Sequence, residues 1–179
     1  MAAGATIHTF TVNLADVDRG VYEELSLRVA RHPSETAAFM LTRVLAYCLE
    51  FEEGIAFSEG ISTTDEPAVL VRDLTGAILS WIEIGAPDAA RLHFGSAQAE
   101  RTAVYTHRDP AKVSAPWAGK RIHRADEITL YSFDPGFVED AARVLERRNT
   151  MTVSITERHL YLDLNGTSVE SDVHAQPVA

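Results

Sequence analysis

The chain has 179 residues, 46% hydrophobic and 23% charged, enough to bury one sizeable core without disulfides or structural metal, so one domain is expected. Sixteen basic residues against twenty-six acidic ones give a net charge of −10, which opposes long-range attraction to a polyanion. No window reaches the roughly 18 apolar residues of a membrane span, the N-terminus lacks a secretory pattern, and the lone Cys48 sits in an apolar run, so a cytoplasmic protein with no membrane partner is expected.

In chain order, "TIHTFTVNL" (6–14) alternates as a strand, and "VYEELSLRVARH" (21–32) has the spacing of an amphipathic helix. Pro33 interrupts that pattern, and Ser34 is placed to cap a longer helix, "ETAAFMLTRVLAYCLEFEE" (35–53), which Gly54 would end. A short apolar piece, "IAFS", and an acidic loop, "TTDEP" (63–67), lead to strands over 68–73 and 77–85, joined by Leu74-Thr75-Gly76 as a hairpin. Pro87-Asp88 opens a helix to about Arg101, followed by a strand at 102–107. A strand at 127–133, an Asp134-capped helix over 135–149 and a closing strand pair, 151–156 and 159–164, complete the pattern. The polar end, "SDVHAQPVA", reads as frayed, with 173–179 a flexible tail. The sum is a single-domain α/β fold, a mixed β-sheet flanked by helices.

The usual nucleotide loops are missing, and the seven histidines show no ligand spacing, so neither a nucleotide cofactor nor zinc is expected. Chemistry is left to carboxylates. In "WIEIGAPD" (81–88) a buried strand carries one acid, Glu83, into a turn. Many metal-dependent nucleases end a strand Glu-x-Lys, with both side chains aimed at the scissile phosphate, but Gly85 stands at the lysine position. The hairpin brings a second acid into question. Asp73 lies near its turn, far along the strand from Glu83 unless a bulge bends the pair, while Asp65 and Glu66 would lie at Glu83's end of a flush hairpin.

Charge is unevenly spread: residues 1–90 hold five basic and fourteen acidic residues, and 91–179 hold eleven and twelve. "HRDPAKVSAPWAGKRIHR" (107–124) concentrates Arg108, Lys112, Lys120, Arg121 and Arg124 around Trp117, a combination suited to a nucleic-acid strand.

The blocks "ARHPSET" (30–36), "DEP" (65–67) and "WIEIGAPD" with Arg91 three residues on resemble the YaeQ family of bacterial proteins, and the likeness runs from "ATIHTFTVNLADVDRG" to "TMTVSI". The resemblance implies a compact fold similar to the PD-(D/E)XK nucleases, which act on nucleic acid with a divalent metal, but no settled activity. It would make Glu83 the acid of the (D/E)xK element, Asp73 or else Asp65 or Glu66 the first aspartate, and Glu35 the helix acid, together holding Mg or Mn. Arg91 or His93 would stand in for the lysine: an arginine restores the charge, and a histidine the proton chemistry.

Two functions follow as expectations. One is a metal-dependent nuclease or nucleic-acid processing protein using Glu83, Asp73, Glu35 and Arg91, with Lys112, Lys120, Arg121 and Arg124 on the phosphates. The other is a non-catalytic binding or regulatory protein of the same fold, whose acidic surface meets a protein partner.

Overall fold

In β1 (Thr6–Asp16), the buried Phe10, Val12 and Leu14 alternate with the exposed Thr11 and Asn13 and need an apolar partner strand. That partner is β2 (Val21–Arg31), antiparallel, with Phe10 opposite Leu27 and Val12 opposite Leu25. The helix expected over 21–32 is therefore a strand: Leu25, Leu27 and Val29 are buried in alternation, and Ser26 and Arg28 between them are exposed. The computed structural model describes residues 4–58 and 65–179, so Thr63 and Thr64 of the expected acidic loop lie outside the described residues.

The next element, α1 (Ala37–Leu49), is shorter than the 35–53 expected. Its cap is Thr36, whose hydroxyl accepts from the Phe39 N–H at 3.0 Å, whereas the Ser34 hydroxyl lies 2.8 Å from the His32 ring. Every residue from Met40 to Ala46 is buried, which marks a helix enclosed on all sides. Cys48 is among the buried residues, and burial pushes its thiol up to about 12, in keeping with a core role.

Three antiparallel strands follow, β3 (Ile55–Phe57), β4 (Val69–Arg72) and β5 (Ile78–Ile84), with the expected hairpin between the last two. Helix α2 (Ala89–Gln98) crosses to β6 (Arg101–Tyr105), parallel to β5. A short helix, α3 (Pro110–Ser114), and two 3₁₀ turns occupy the stretch before β7 (Thr129–Phe133), which is parallel to β6.

Helix α4 (Phe137–Ala142) falls well short of the expected 135–149 because Arg148 already opens β8 (Arg148–Thr156), which runs parallel to β1 from Thr9 opposite Arg148. Gly136, not Asp134, heads α4; the Asp134 carboxylate instead lies 2.7 Å from His174 Nε2. β9 (His159–Leu164) turns back from β8 at Glu157-Arg158.

Most of the stretch expected to be frayed, residues 171–177, lies in a strand. It belongs to β10 (Thr167–Pro177), whose first half pairs with β9 and whose second half, Val173–Pro177, pairs with β7. One strand thus joins two half-sheets, giving the order β2-β1-β8-β9-β10-β7-β6-β5-β4-β3. Both halves share one core with α1 and α4 between them. A smaller core of Leu92, Val104, Val113, Trp117, Ile128 and Leu130 lies on the other face of β6 and β7, under α2 and the 107–128 segment. The chain is a single mixed α/β domain with a large sheet and few helices, and no described helix is long and apolar enough to cross a membrane.

Asp172 of β10 stands directly opposite His159 of β9, and its carboxylate lies 2.7 Å from the His159 ring. That hydrogen bond first, then the nearby Asp172 and Glu170 charges, raise the His159 pKa against a smaller desolvation effect. A raised folded value gives stability that is complete below the unfolded pKa and is lost as pH rises through the folded one. Proton NMR should find His159 titrating above an ordinary histidine, and Asp172→Asn should return it toward that range; an unchanged titration would refute the pairing.

Candidate functional site

Strand β5 divides its side chains between two environments. Ile82 and Ile84 join the main core on the α1 face, whereas Trp81 and Glu83 point under α2. The approach of α2 depends on Gly95, where a Cβ would lie 2.4 Å from the Trp81 ring. Asp88 caps α2 by accepting from the Arg91 N–H at 2.8 Å, which puts Arg91 on the first turn, directly over the strand acid.

Arg91 then closes the site. Its Nε donates to Glu83 Oε2 at 2.6 Å, its guanidinium also donates to the Glu66 carbonyl, and its charge lies 5.7 Å from the centroid of the Trp81 ring. Glu83 is only 4% exposed. Desolvation pushes its carboxyl pKa up; the Arg91 hydrogen bond and charge, and the nearby Trp81 indole, pull it back part of the way. The buried Trp81 N–H nevertheless makes no hydrogen bond by geometry, so its effect on Glu83 is that of a nearby dipole.

The other expected acids are elsewhere. Asp73 is exposed at the hairpin turn, where its Oδ1 accepts from Thr75 N–H (2.8 Å), the Thr75 hydroxyl (2.6 Å) and Ala77 N–H (3.0 Å), bonds that lower its pKa. Arg72 pairs with Ile78, so Glu83 lies five residues further along β5, about 17 Å at ~3.3 Å per residue. The pairing of Val69 with Ile82 instead brings Asp65 and Glu66 to Glu83's end. The Glu66 carboxylate itself receives Arg72 at 3.0 Å.

Glu35 is buried in an ion pair with Arg43 of α1 at 3.0 Å and accepts from the His32 N–H at 3.3 Å. Because α1 packs on the Ile82 and Ile84 face, this pair lies across the sheet from Glu83. Glu83, Asp73 and Glu35 therefore do not converge, and among the described residues no three His, Cys, Asp or Glu side chains form a metal-binding group. As a set they do not fit Mg or Mn, which need carboxylate oxygens around one point. The missing lysine also has a local cause: Gly85 has φ +88°, and a Cβ there would lie 3.0 Å from the Phe39 ring, so a lysine would be strained and crowded.

The basic segment lies beside this site. Trp117 donates its indole N–H to the Pro87 carbonyl at 2.8 Å, tying the segment to the β5–α2 turn. Arg108, Lys112, Lys120 and Arg121 are exposed, and among the described residues no carboxylate pairs with them. Arg124 differs, because its guanidinium donates to the Ser96 and Ala99 carbonyls at 2.7 and 2.6 Å and so caps the C-terminus of α2. His93 is engaged as well, accepting from the His123 N–H at 3.0 Å. Sequence reasoning missed Arg43, although a lone arginine amid the apolar residues of α1 was the available signal.

Fold and site define an α/β protein whose strand acid is sealed by an arginine beneath a helix and flanked by a cationic segment. The chain belongs to the YaeQ family: the family model described as YaeQ protein matches residues 1–173. It is 31% identical to the uncharacterized protein YaeQ of Escherichia coli (strain K12), over 99% of each chain. The crystal structure of YaeQ protein from Pseudomonas syringae superposes with a TM-score of 0.84 at 32% identity, covering 96% of this chain and 95% of that one. The YaeQ protein from Xanthomonas axonopodis pv. citri gives 0.87 at 26% identity, covering 97% and 98%.

Proposed function

We propose that the protein is a non-catalytic nucleic-acid-binding module on a nuclease-like scaffold of the PD-(D/E)XK kind. The observation that carries this reading is the Arg91–Glu83 ion pair: the carboxylate that would hold a metal is buried and its Oε2 is taken up by a guanidinium. Beside it, Arg108, Lys112, Lys120 and Arg121 form the cationic surface that would meet phosphates, with Trp117 anchoring the segment from below. The net charge of −10 fits modest, salt-sensitive contact better than tight binding.

The second reading, a Mg- or Mn-dependent phosphodiesterase, is favoured by the register that brings Asp65 and Glu66 to Glu83's end. One set of measurements separates the two: calorimetric titration of Mn²⁺ into wild type and Glu83→Ala, nicking of plasmid and single-stranded DNA, and oligonucleotide anisotropy across a salt series. Binding without nicking is expected, and Lys112→Ala with Lys120→Ala should flatten the duplex log–log salt slope by roughly 0.9 for each phosphate that is no longer neutralised. Mn²⁺-dependent nicking that disappears in Glu83→Ala would establish the phosphodiesterase instead. A salt slope unmoved by the lysine changes would remove the 107–124 segment from the interface.

A further inference from the structure

Where α1 ends, far along the chain from Glu35, a cleft of about 290 Å³ opens between the turns of the first half-sheet and the starts of β5 and β6. Its lining includes Ser80, Arg101, Tyr131 and Arg158, with several carboxylates. Most of those acids are matched internally. Asp16 pairs with Arg19 at 2.6 Å, and Arg19 also donates to the Cys48 and Phe51 carbonyls at the end of α1. Asp18 accepts from the backbone N–H groups of Glu157 and Arg158 at 2.7 and 2.9 Å. Glu50 pairs with Arg101 and accepts from the Tyr105 hydroxyl at 2.9 Å. Asp18, held by neutral N–H groups, and Glu52, on the exposed rim, are the acids without a cation.

Arg158 is the cation left over. Its charge lies 5.4 Å from the centroid of the Tyr131 ring, which stacks on Tyr105 with centroids 4.6 Å apart, and among the described residues no carboxylate or carbonyl accepts from its guanidinium. The backbone that presents it is unusual too. Glu157 and Arg158 make the two-residue β8–β9 turn at φ 51° and 61°, left-handed positions that favour asparagine and glycine. Asp18 holds that turn through both N–H groups, so a disfavoured conformation is maintained while a guanidinium that stacks on Tyr131 but donates to no carboxylate or carbonyl among the described residues faces the cleft. The Tyr131 hydroxyl accepts from Arg101 at 3.3 Å and keeps its own hydrogen to donate.

We propose that this cleft is an oxyanion site that takes a phosphate group, gripped by the Arg158 fork and by the Tyr131 and Ser80 hydroxyls. Donors on three separate elements, the β8–β9 turn, β7 and β5, line the cleft, which suits a tetrahedral anion better than a flat carboxylate, and the fork suits two phosphate oxygens. The site is separate from the Arg91–Glu83 pair and does not depend on the function proposed for that pair.

The test uses the whole chain with two probes, inorganic phosphate and a nucleoside 5′-monophosphate, followed by calorimetry and by thermal unfolding at constant ionic strength against chloride. Phosphate should raise the melting temperature of wild type. Arg158→Gly should fold with an equal or higher ligand-free melting temperature, since glycine relaxes the turn, yet bind phosphate at least tenfold more weakly. Tyr131→Phe should weaken binding several-fold, and Glu52→Gln should strengthen it by removing a rim charge. Tighter binding of the monophosphate would identify an ester as the source of the anion, and equal binding would identify the free ion. No phosphate-specific shift in wild type, or the same shift in Arg158→Gly, overturns the site. So does a shift lost only when Lys112 and Lys120 are removed, which would assign the anion to the basic segment.

Discussion

Arg43→Met should lower the unfolding free energy by about 3–5 kcal/mol, because it leaves the buried Glu35 carboxyl group without its partner. Side-chain exposure in this pair is 2% for Arg43 and 3% for Glu35, so water cannot take over either role. Burial already lowers the Arg43 pKa, with the Glu35 charge opposing that shift. Urea unfolding should show an earlier midpoint with an unchanged slope. Adding Glu35→Leu to the variant should recover more than half of the loss, since removing both charges together also removes the cost of burying them. Recovery will be incomplete, because the Ala30 carbonyl loses the donor 2.8 Å away and the His32 N–H loses its acceptor. If the double variant is no more stable than Arg43→Met, the two side chains do not act as a pair, and weaker packing against Phe57 is the better account.

The second large effect is expected at Arg91→Leu, about 3 kcal/mol at neutral pH, near the low end for a buried pair because Arg91 is 28% exposed. This loss should depend on pH. The folded pKa of Glu83 is already raised by desolvation, so the folded state favours its protonated form. The cost of burying its charge is absent below the unfolded carboxyl value and grows as pH rises through the folded one. Removing Arg91 raises that folded value further, so the difference between variant and wild type should shrink as pH falls toward the ordinary glutamate range. Denaturant melts of both proteins at neutral and mildly acid pH measure it. A difference independent of pH would assign the effect to packing on Trp81 and not to charge. Arg91→Lys should fall between the two, since it keeps the cation but not the fork that reaches both Glu83 and the Glu66 carbonyl.

The parts of the fold that were legible in the sequence are those where one pattern has one reading. The β4–β5 hairpin combines two apolar runs with a Gly turn, and α2 begins at an Asp cap. Strand β2 was ambiguous. Val21, Leu25 and Val29 recur every four residues as in a helix, and only Leu27 between them signals alternation; pairing along the whole length of β1 decided the outcome. The polar run 171–179 looked unfit for a strand because few of its side chains are apolar, yet ladder hydrogen bonds on one side to β9 and then on the other to β7 hold residues 171–177, with Val173 anchored in the main core. At the site, Glu83 and Arg91 could be picked out from strand and helix spacing. That they would bind each other could not, because it depends on how closely Gly95 lets α2 approach β5. Nor could the separation of Glu35 from Glu83, which follows from α1 packing on the opposite face of β5.

The pairing of β1 with β8 joins segments roughly 140 residues apart, as in the parallel ladder from Thr9 to Arg148. During synthesis the first hairpin would leave the ribosome with the β1 edge that later pairs with β8 still bare, and it would stay so until most of the polypeptide had emerged. The half-sheets could be joined only later still, once residues 167–177 were available. Such distant contacts predict slow folding and a nascent chain with exposed strand edges.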